Sequence, residues 1–221
     1  MLSIFRLHST ALKTLLSVLF AGLIASNSFA QNPDIDLLRK LNVERNTKLD
    51  PSFKFITQSA SPISMACPVS VYAVGLIKRD STIRRKGLYI ASSMAVSSVI
   101  TLSAKYGFDR TRPFNTFPDI IKLSEAGSPS FPSGHTSNAF ATATAMTFAF
   151  PKWYVAAPAF AWASAVGYSR MHLGVHYPSD VLAGAIIGSG SAWLSCWLSK
   201  KFFEKYDHTL ASRKAKKALA D

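Results

Sequence analysis

Two histidines and an aspartate lie within the segment SRMHLGVHYPSD, residues 169–180. His172 and His176 are four residues apart, and on one helix this spacing would let both imidazoles bind the same metal ion. The glutamate of the zinc-protease pattern HExxH is absent, however, and a metal ion would occupy a lone pair that a nucleophilic His176 needs. We therefore predict no metal site here, and we expect His172 to support the site or to lie at an interface.

Asp180 follows His176 by four residues, which is one helical turn if Tyr177-Pro178-Ser179 starts a helix with Ser179 as its N-cap. In that position the carboxylate can hold the Nδ1 proton of His176 and leave Nε2 free to act as a nucleophile. A histidine near a helix end can equally be an ordinary surface or capping residue. For this pair alone, both interpretations stay open.

Three cations lie near the ends of apolar segments: Lys105, Arg112 and Arg170. Taken singly, each is most simply an interfacial anchor of the kind that flanks membrane helices. Together, two guanidinium groups and an ammonium group can bind a tetrahedral oxyanion such as phosphate. The sequence lacks the glycine-rich Walker loop, so nothing indicates a nucleoside triphosphate.

The segment FPSGHTS, residues 131–137, supplies groups that complement these cations. Gly134 lets a ligand approach the backbone, and a helix predicted from about Thr136 would direct its free N–H groups, next to Ser133, at an anion. His135 can then protonate the departing alkoxide of a phosphate ester. The segment therefore predicts a phosphate-binding site with an acid beside it.

The three clusters occur in an order and at spacings that resemble the three-part signature of the type 2 phosphatidic acid phosphatase superfamily. This superfamily includes membrane lipid phosphatases, bacterial class A acid phosphatases and vanadium haloperoxidases. The resemblance covers roughly residues 88–199, and it is carried by Lys105-(six)-Arg112-Pro113, Pro132-Ser133-Gly134-His135 and Ser169-Arg170-(five)-His176-(three)-Asp180.

The resemblance implies a role for each matched residue. His176 attacks phosphorus and forms a phosphohistidine, Asp180 orients His176, and His135 is the acid for the leaving group. The phosphoryl oxygens are held by Lys105, Arg112, Ser133, Gly134 and Arg170. No metal ion and no other cofactor takes part in this reaction. Asp109 and Arg110, inside the first cluster, are expected to be loop charges and not catalysts.

The composition indicates a membrane protein, because 48% of the 221 residues are hydrophobic and only 17% are charged. Apolar segments rich in Ala, Ser, Gly and Thr predict an all-α bundle of five core helices, at residues 62–77, 88–104, 137–150, 154–167 and 181–199. They are short for membrane spans, which need about 20 residues, but small residues such as those of GAIIG (184–188) allow close packing in lipid. A soluble domain with buried helices is the alternative.

Three further regions flank this core, which spans residues 62–199. Residues 1–30 combine a basic start, the apolar run LLSVLFAGLIA and the small residues Ser28 and Ala30, a pattern typical of a cleaved signal peptide. An uncleaved anchor helix is the alternative. Residues 31–61 predict an amphipathic helix to about Asn46, on the membrane surface or on the core, and ended by Asp50-Pro51. Residues 200–221 form a basic tail.

Basic residues are unevenly distributed and predict an orientation. KRDSTIRRK (78–86) carries five basic residues and one acid, and residues 200–217 carry seven and two. If an exported N-terminus is followed by five spans, both segments are cytoplasmic, as the positive-inside rule requires, and the three clusters lie outside. We therefore predict a protein of the bacterial inner membrane with its site facing the periplasm. Nucleic-acid binding is not expected, because no aromatic-rich basic module accompanies the net charge of +13.

The function predicted first is that of a membrane phosphatase acting on a lipid phosphate or pyrophosphate. A secreted soluble acid phosphatase fits the export signal but not the five apolar segments, and a vanadium haloperoxidase is expected to have a longer chain. A transport or structural protein, in which the cations are only anchors, is the non-enzymatic alternative. Cys67 and Cys196 can be free or paired, and neither has neighbours at zinc-site spacing.

Overall fold

A computed structural model describes the backbone of residues 32–218 and the side chains of residues 32–199 and 201. The predicted signal peptide, residues 1–30, lies outside this part. Contacts divide the chain after Pro33, and the side-chain contacts discussed below lie within Asp34–Asp221. The regular structure of the described residues is helical, which confirms the all-α class. The longer helices are α1 (Pro33–Asn42), α2 (Asp50–Ile77), α3 (Ser81–Phe108), α4 (Gly134–Ala149), α5 (Trp153–His172) and α6 (Pro178–Ala218), and short helical turns lie at Thr47–Leu49 and Pro113–Thr116.

The central helix of the bundle is α4, which contacts α2, α3, α5 and α6. Its sequence, GHTSNAFATATAMTFA, consists mostly of small residues, so its neighbours can approach it closely. Where α6 crosses α4, a Cβ added at Gly184 would lie 2.7 Å from the carbonyl oxygen of Ser133. The small-residue packing predicted from GAIIG therefore joins α6 to α4.

The core helices α2 to α6 alternate in direction, so their ends form two sets. We call one set the site end: α3 and α5 finish there, and α2, α4 and α6 begin there. Hydrogen bonds between Ser137 at the start of α4 and the hydroxyl groups of Ser97 and Thr101, late in α3, show this alternation, each at 2.7 Å. The opposite set, the basic end, carries residues 78–86 and the short turn 150–152.

Among the residues that the structure describes, three helical stretches are long and apolar enough to cross a membrane: 47–77, 81–116 and 178–199. The five predicted core helices are all present, but α4 and α5, with 16 and 20 residues, do not belong to this set. Large apolar side chains of the bundle are exposed, as at Ile77 on α2. Exposed aromatic rings occur near both ends, as is typical of membrane interfaces, with Phe55 and Tyr106 at the site end and Trp153 and Tyr154 at the basic end.

The N-terminal part of the bundle differs from the sequence prediction. Asp50-Pro51 does not end a helix but begins α2, because proline in a first turn lacks only an N–H group that would have no helical partner there. The segment predicted as a helix from Pro62 is therefore the second half of a 28-residue helix. The amphipathic helix α1 accordingly stops at Asn42, before the predicted end near Asn46.

Two helices at the site end also begin earlier than predicted. α4 starts at Gly134 and not near Thr136, with Ser133 as its N-cap residue. α6 starts at Pro178, so Ser179 lies inside the first turn and the prediction that it is the N-cap is wrong. The backbone of α6 continues beyond Ser199, into the segment predicted as a basic tail.

The helix α1 packs on the core at the site end, which is one of the two positions expected for an amphipathic helix. Its apolar face is buried in a cluster formed by Ile35, Leu38, Ile120 and Tyr177. The buried amide of Asn42 donates to the carbonyl oxygens of Ile121 (3.1 Å) and His172 (2.8 Å) and accepts the N–H of Ile121. α1 thereby joins the loop that precedes α4 to the end of α5.

Candidate active site

A cavity of about 350 Å³ opens at the site end, and residues of α2, α3, α4 and α5 line it together with the intervening loops. Six of the eight residues predicted to form the site line this cavity: Lys105, Arg112, Gly134, His135, Arg170 and His176. The other two, Ser133 and Asp180, are fully buried next to it. The alternation of the helices thus brings three distant segments to one place.

The end of α3 directs the first cluster towards this cavity. Asp109 stops the helix in the left-handed conformation, with φ of 42°, one turn after Lys105. The chain then runs extended, as is usual before a proline, and Arg112 has φ of −74° and ψ of 152°. In an extended segment, alternate side chains point to the same side. Arg110 and Arg112 both contact the segment 175–180, through Asp180 and through the carbonyl oxygen of Val175.

Backbone carbonyl groups fix the cations of the first cluster. Lys105 Nζ donates to the carbonyl oxygen of Pro129 at 2.5 Å. Arg112 donates through Nε to the carbonyl oxygen of Ser128 and through Nη1 to that of Val175, both at 2.7 Å. These bonds use only part of the donors, because a guanidinium group has five N–H groups and an ammonium group three. Both cations are therefore held in place with donors left for an anion.

Arg170 is held from two sides through Nη1, and its buried Nε has no partner among the described residues. Its Nη1 donates to Oγ1 of Thr57 on α2 at 2.7 Å and to Oγ of Ser124 at 3.3 Å. Its side chain is buried, and Nε has no hydrogen-bond partner among the described residues. A buried N–H group without a partner is costly, so an anion that accepts from Nε would relieve this cost.

The contacts of His176 determine its tautomer. Nε2 lies 3.3 Å from Nη1 of Arg112, and Nδ1 lies 3.4 Å from Oδ2 of Asp180. Because arginine can only donate, Nε2 must accept, and the proton is on Nδ1 facing Asp180. Burial lowers the pKa of His176, and the charges of Arg170 and Arg112 add to this effect against that of Asp180. A neutral imidazole thus presents its Nε2 lone pair to the cavity.

Asp180 has more partners than the sequence predicts. Its Oδ2 also accepts from Oγ of Ser130 at 2.5 Å and from the backbone N–H of Tyr177 at 3.0 Å. Its Oδ1 accepts from Nη1 of Arg110 at 2.7 Å, so Arg110, expected only as a loop charge, is the ion-pair partner of Asp180. The sequence does hold a signal for this contact, since Arg110 and Arg112 are two residues apart in a segment that precedes proline.

The beginning of α4 contributes backbone donors beside these side chains. Gly134 and His135 occupy its first turn, where N–H groups have no partner within the helix. Ser133 does not line the cavity: its Oγ accepts from Oγ1 of Thr136 at 2.9 Å, and its N–H donates to the backbone oxygen of Asp180 at 3.0 Å. Ser133 thus connects α4 to α6 in this structure.

His172 is separate from the cavity. Its Nε2 lies 2.7 Å from Oδ1 of Asp50, and its ring packs against Phe53 with the ring centroids 4.4 Å apart. The two histidines of the opening segment therefore do not face a common ligand. Among the residues that the structure describes, no group of three His, Cys, Asp or Glu side chains could hold a metal ion. Cys67 and Cys196 are free thiols.

The sequence of the chain matches the model of one protein family. The model of the PAP2 superfamily matches residues 86–204, which include all three clusters. The chain belongs to the PAP2 superfamily. This is the superfamily whose signature the three clusters resemble, so the resemblance is confirmed.

Two PAP2 relatives illustrate the range of similar proteins. The chain is 34% identical over 94 residues to a lipid A 4'-phosphatase of Bacteroides thetaiotaomicron, which covers 41% of this chain and 42% of the relative. It is 33% identical over 119 residues to an undecaprenyl-diphosphatase of Sulfolobus acidocaldarius, covering 51% and 54%. The chain thus spans about half the length of these curated relatives.

A solved PAP2 structure shows the same fold over most of this chain. It is the transmembrane PAP2 type phosphatidylglycerolphosphate phosphatase from Bacillus subtilis, with a TM-score of 0.69 and 27% sequence identity. The match covers 87% of this chain and 94% of that one. The whole bundle, and not only the segment with the three clusters, therefore has the architecture of a membrane PAP2 protein.

Proposed function

We propose that this chain is a membrane phosphatase that hydrolyses a lipid phosphate monoester or pyrophosphate through a phosphohistidine intermediate. The observation that carries this proposal is the cavity, in which a buried, neutral His176 faces the cations Lys105, Arg112 and Arg170. Negative charge grows on the phosphoryl oxygens as phosphorus is attacked, and each donor already fixed at that charge contributes about 3 kcal/mol. The arrangement therefore suits phosphoryl transfer to His176.

In the first step, the Nε2 lone pair of His176 attacks phosphorus, and the P–O bond to the leaving group breaks with its electron pair on that oxygen. His135 donates a ring proton to the departing oxygen, while Asp180 holds the Nδ1 proton of His176. In the second step, water attacks phosphorus and gives a proton to His135. The electron pair of the P–N bond returns to Nε2, and inorganic phosphate leaves.

A lipid substrate is supported by the relatives and by the cavity wall. The relatives above are named for lipid A and for undecaprenyl diphosphate, both of which carry phosphate on an apolar anchor. Ala60 and Ser61 of α2 line the cavity, and α2 is one of the helices apolar enough to cross a membrane. The apolar part of a lipid can therefore lie along α2 while its phosphate contacts the cations.

The charge distribution supports a site on the outer face of the bacterial inner membrane, towards the periplasm. The basic segment 78–86 lies at the end of the bundle opposite the cavity. Loops rich in Lys and Arg remain in the cytoplasm. The lipid phosphate is accordingly taken from the outer leaflet.

The experiment that tests this function is phosphate release by the purified full chain in detergent. The substrates are phosphatidate, phosphatidylglycerophosphate, an isoprenyl diphosphate and a phosphorylated glycolipid. We expect release from at least one of them, no release by His176→Ala, and at least a ~100-fold loss of kcat in His135→Ala, as is usual for loss of a general acid. Retention of most activity by His176→Ala would show that the nucleophile is assigned wrongly.

The same assay tests the source of the positive charge. Because Lys105, Arg112 and Arg170 supply the charge, we expect a chelator such as EDTA to leave the initial rate unchanged. A strict requirement for an added divalent cation would contradict the proposed reaction.

A further inference from the structure

We propose that Arg110 and Asp34 form a positioning relay that holds Asp180, and through it His176, in the reactive geometry. The inference rests on the proposed function and assigns two residues to it that are not signature positions: Arg110, in the spacer of the first cluster, and Asp34, far before the clusters. Arg110 belongs to the connection between α3 and α4, and Asp34 lies in the first turn of α1. The relay therefore links the amphipathic N-terminal helix to the nucleophile.

The guanidinium group of Arg110 bridges the two carboxylates. Its Nη1 donates to Oδ1 of Asp180 at 2.7 Å, and its Nη2 donates to Oδ2 of Asp34 at 2.8 Å. Its Cζ lies over the ring of Tyr177, 3.9 Å from the ring centroid. The two charge-assisted hydrogen bonds and the contact with the aromatic ring together fix the orientation of the guanidinium group.

Asp180 needs this cation. Its side chain is fully buried, and the histidine beside it is neutral. A buried carboxylate without a compensating charge is strongly unfavourable, and Arg110 is the cation that contacts it directly. With Oδ1 held by Arg110, the other oxygen keeps its direction towards Nδ1 of His176. Removing Arg110 therefore leaves the buried charge of Asp180 uncompensated and releases Oδ1, while Ser130 and the N–H of Tyr177 still hold Oδ2.

Asp34 fixes the outer end of the relay and the start of α6 together. Its Oδ1 accepts the backbone N–H of Ser179 at 2.8 Å, and its Oδ2 accepts the hydroxyl of Ser179 at 2.5 Å. The N–H of Ser179 is in the first turn of α6 and has no acceptor within the helix. A carboxylate from α1 thus acts as a cap for α6, in the same turn that carries Asp180.

Within the described part of the chain, neither Arg110 nor Asp34 lines the cavity. Loss of the relay is therefore expected to lower kcat and to leave the binding of the phosphate group unchanged. Misplacement of a reactive group by about 1 Å can cost on the order of 100-fold in rate. For Arg110→Gln we expect kcat to fall about 10- to 100-fold, with KM within a factor of about 2.

The test compares steady-state kinetics of the full chain in detergent with dioctanoyl phosphatidate, a short-chain lipid phosphate. Arg110→Lys should recover part of the kcat that Arg110→Gln loses, because lysine restores the charge but reaches one carboxylate only. Asp34→Asn should lower kcat by several-fold, and adding it to Arg110→Gln should cost little more, since both act through one contact. Binding of inorganic phosphate, the reaction product, followed by thermal shift, should be unchanged in all three variants.

Asp36→Asn is the matched control, because Asp36 lies on the same helix and pairs only with the exposed Arg39, at 3.5 Å, among the contacts described here. It should leave kcat unchanged. Wild-type kcat in Arg110→Gln, or a loss that appears in KM and in phosphate binding, would overturn the relay. Should Arg110→Gln fail to fold, equal kcat in Asp34→Asn and Asp36→Asn would overturn it. An inactive wild-type chain, by contrast, would refute the proposed function itself.

Discussion

His172 and His176 lie on one short segment but have opposite chemical surroundings. His176 is buried between Asp180 and a set of cations, so its lone pair faces the cavity. His172 faces Asp50, whose carboxylate also contacts the guanidinium group of Arg45 at 3.0 Å. One histidine is therefore arranged for chemistry, and the other holds the end of α5 to the beginning of α2.

This difference predicts different results from the same substitution. His172→Gln leaves the partly buried Asp50 with a weaker partner, which should lower the free energy of unfolding by about 1–3 kcal/mol. The melting temperature in detergent should fall by a few degrees, while kcat stays within a factor of about 3 of wild type. His176→Gln is the matched variant and should lose activity. A His172→Gln protein that melts normally but has no activity would contradict this assignment of His172.

For individual residues, the sequence predicts which side chains meet in the site but not which groups hold those side chains in place. The cavity gathers Lys105, His135 and Arg170 as expected, because the spacing within each cluster and the order of the helices limit where they can lie. The supporting groups come from segments without any pattern, such as the carbonyl oxygen of Pro129 and the carboxylate of Asp34. A backbone carbonyl has no sequence signal, and Asp34 is one of many acidic residues at a helix start.

Among the elements, α4 determines the shape of the site because both its beginning and its neighbours are fixed by close contacts. Gly184 of α6 faces the backbone of Ser133 at the start of α4, whereas Gly190, further along α6, has no described atom within 4 Å of an added Cβ. The two glycines therefore offer a matched pair on one helix.

Gly184→Ala should force α6 away from α4, because its Cβ would lie 2.7 Å from a backbone oxygen that cannot rotate away. The displaced start of α4 carries His135, so we expect kcat to fall about 10- to 100-fold, together with a lower melting temperature. Gly190→Ala should keep wild-type kcat and gain up to about 1 kcal/mol of helix stability. The kcat is measured by phosphate release and the melting temperature by thermal unfolding in detergent. Equal kcat and equal melting temperature in the two variants would show that the α4–α6 contact does not determine the geometry of the site.

The number of core helices and the all-α class can be predicted from the apolar segments. The starts of α2 and α6 cannot. Proline at position 51 predicts an end equally well as a beginning, and only the packing of Thr57 and Ala60 against the core shows that α2 starts there. The start of α6 is similarly ambiguous in Tyr177-Pro178-Ser179, since Asp34 supplies the cap from a distant segment. Long-range contacts decide such ends, and local sequence does not contain them.

At the scale of the whole molecule, the distance between the basic end and the site end determines how the bundle can lie in a membrane. α2 and α3 each have 28 residues and join at residues 78–80, so the basic end is a full helix length away from the site end. At about 1.5 Å per residue this is roughly 40 Å, more than the ~30 Å hydrocarbon core of a bilayer. The two ends can therefore lie on opposite sides of a membrane.

The proposed orientation is tested with one exposed lysine from each end, replaced in a Cys67→Ala, Cys196→Ala background. Lys122 lies in the loop between α3 and α4, and Lys78 directly follows α2. In intact bacterial spheroplasts, a membrane-impermeant maleimide should label Lys122→Cys at once and Lys78→Cys only after permeabilisation, because the basic segment stays in the cytoplasm. Retained phosphatase activity controls for folding. The reverse labelling pattern would place the cavity in the cytoplasm and contradict hydrolysis of an outer-leaflet lipid.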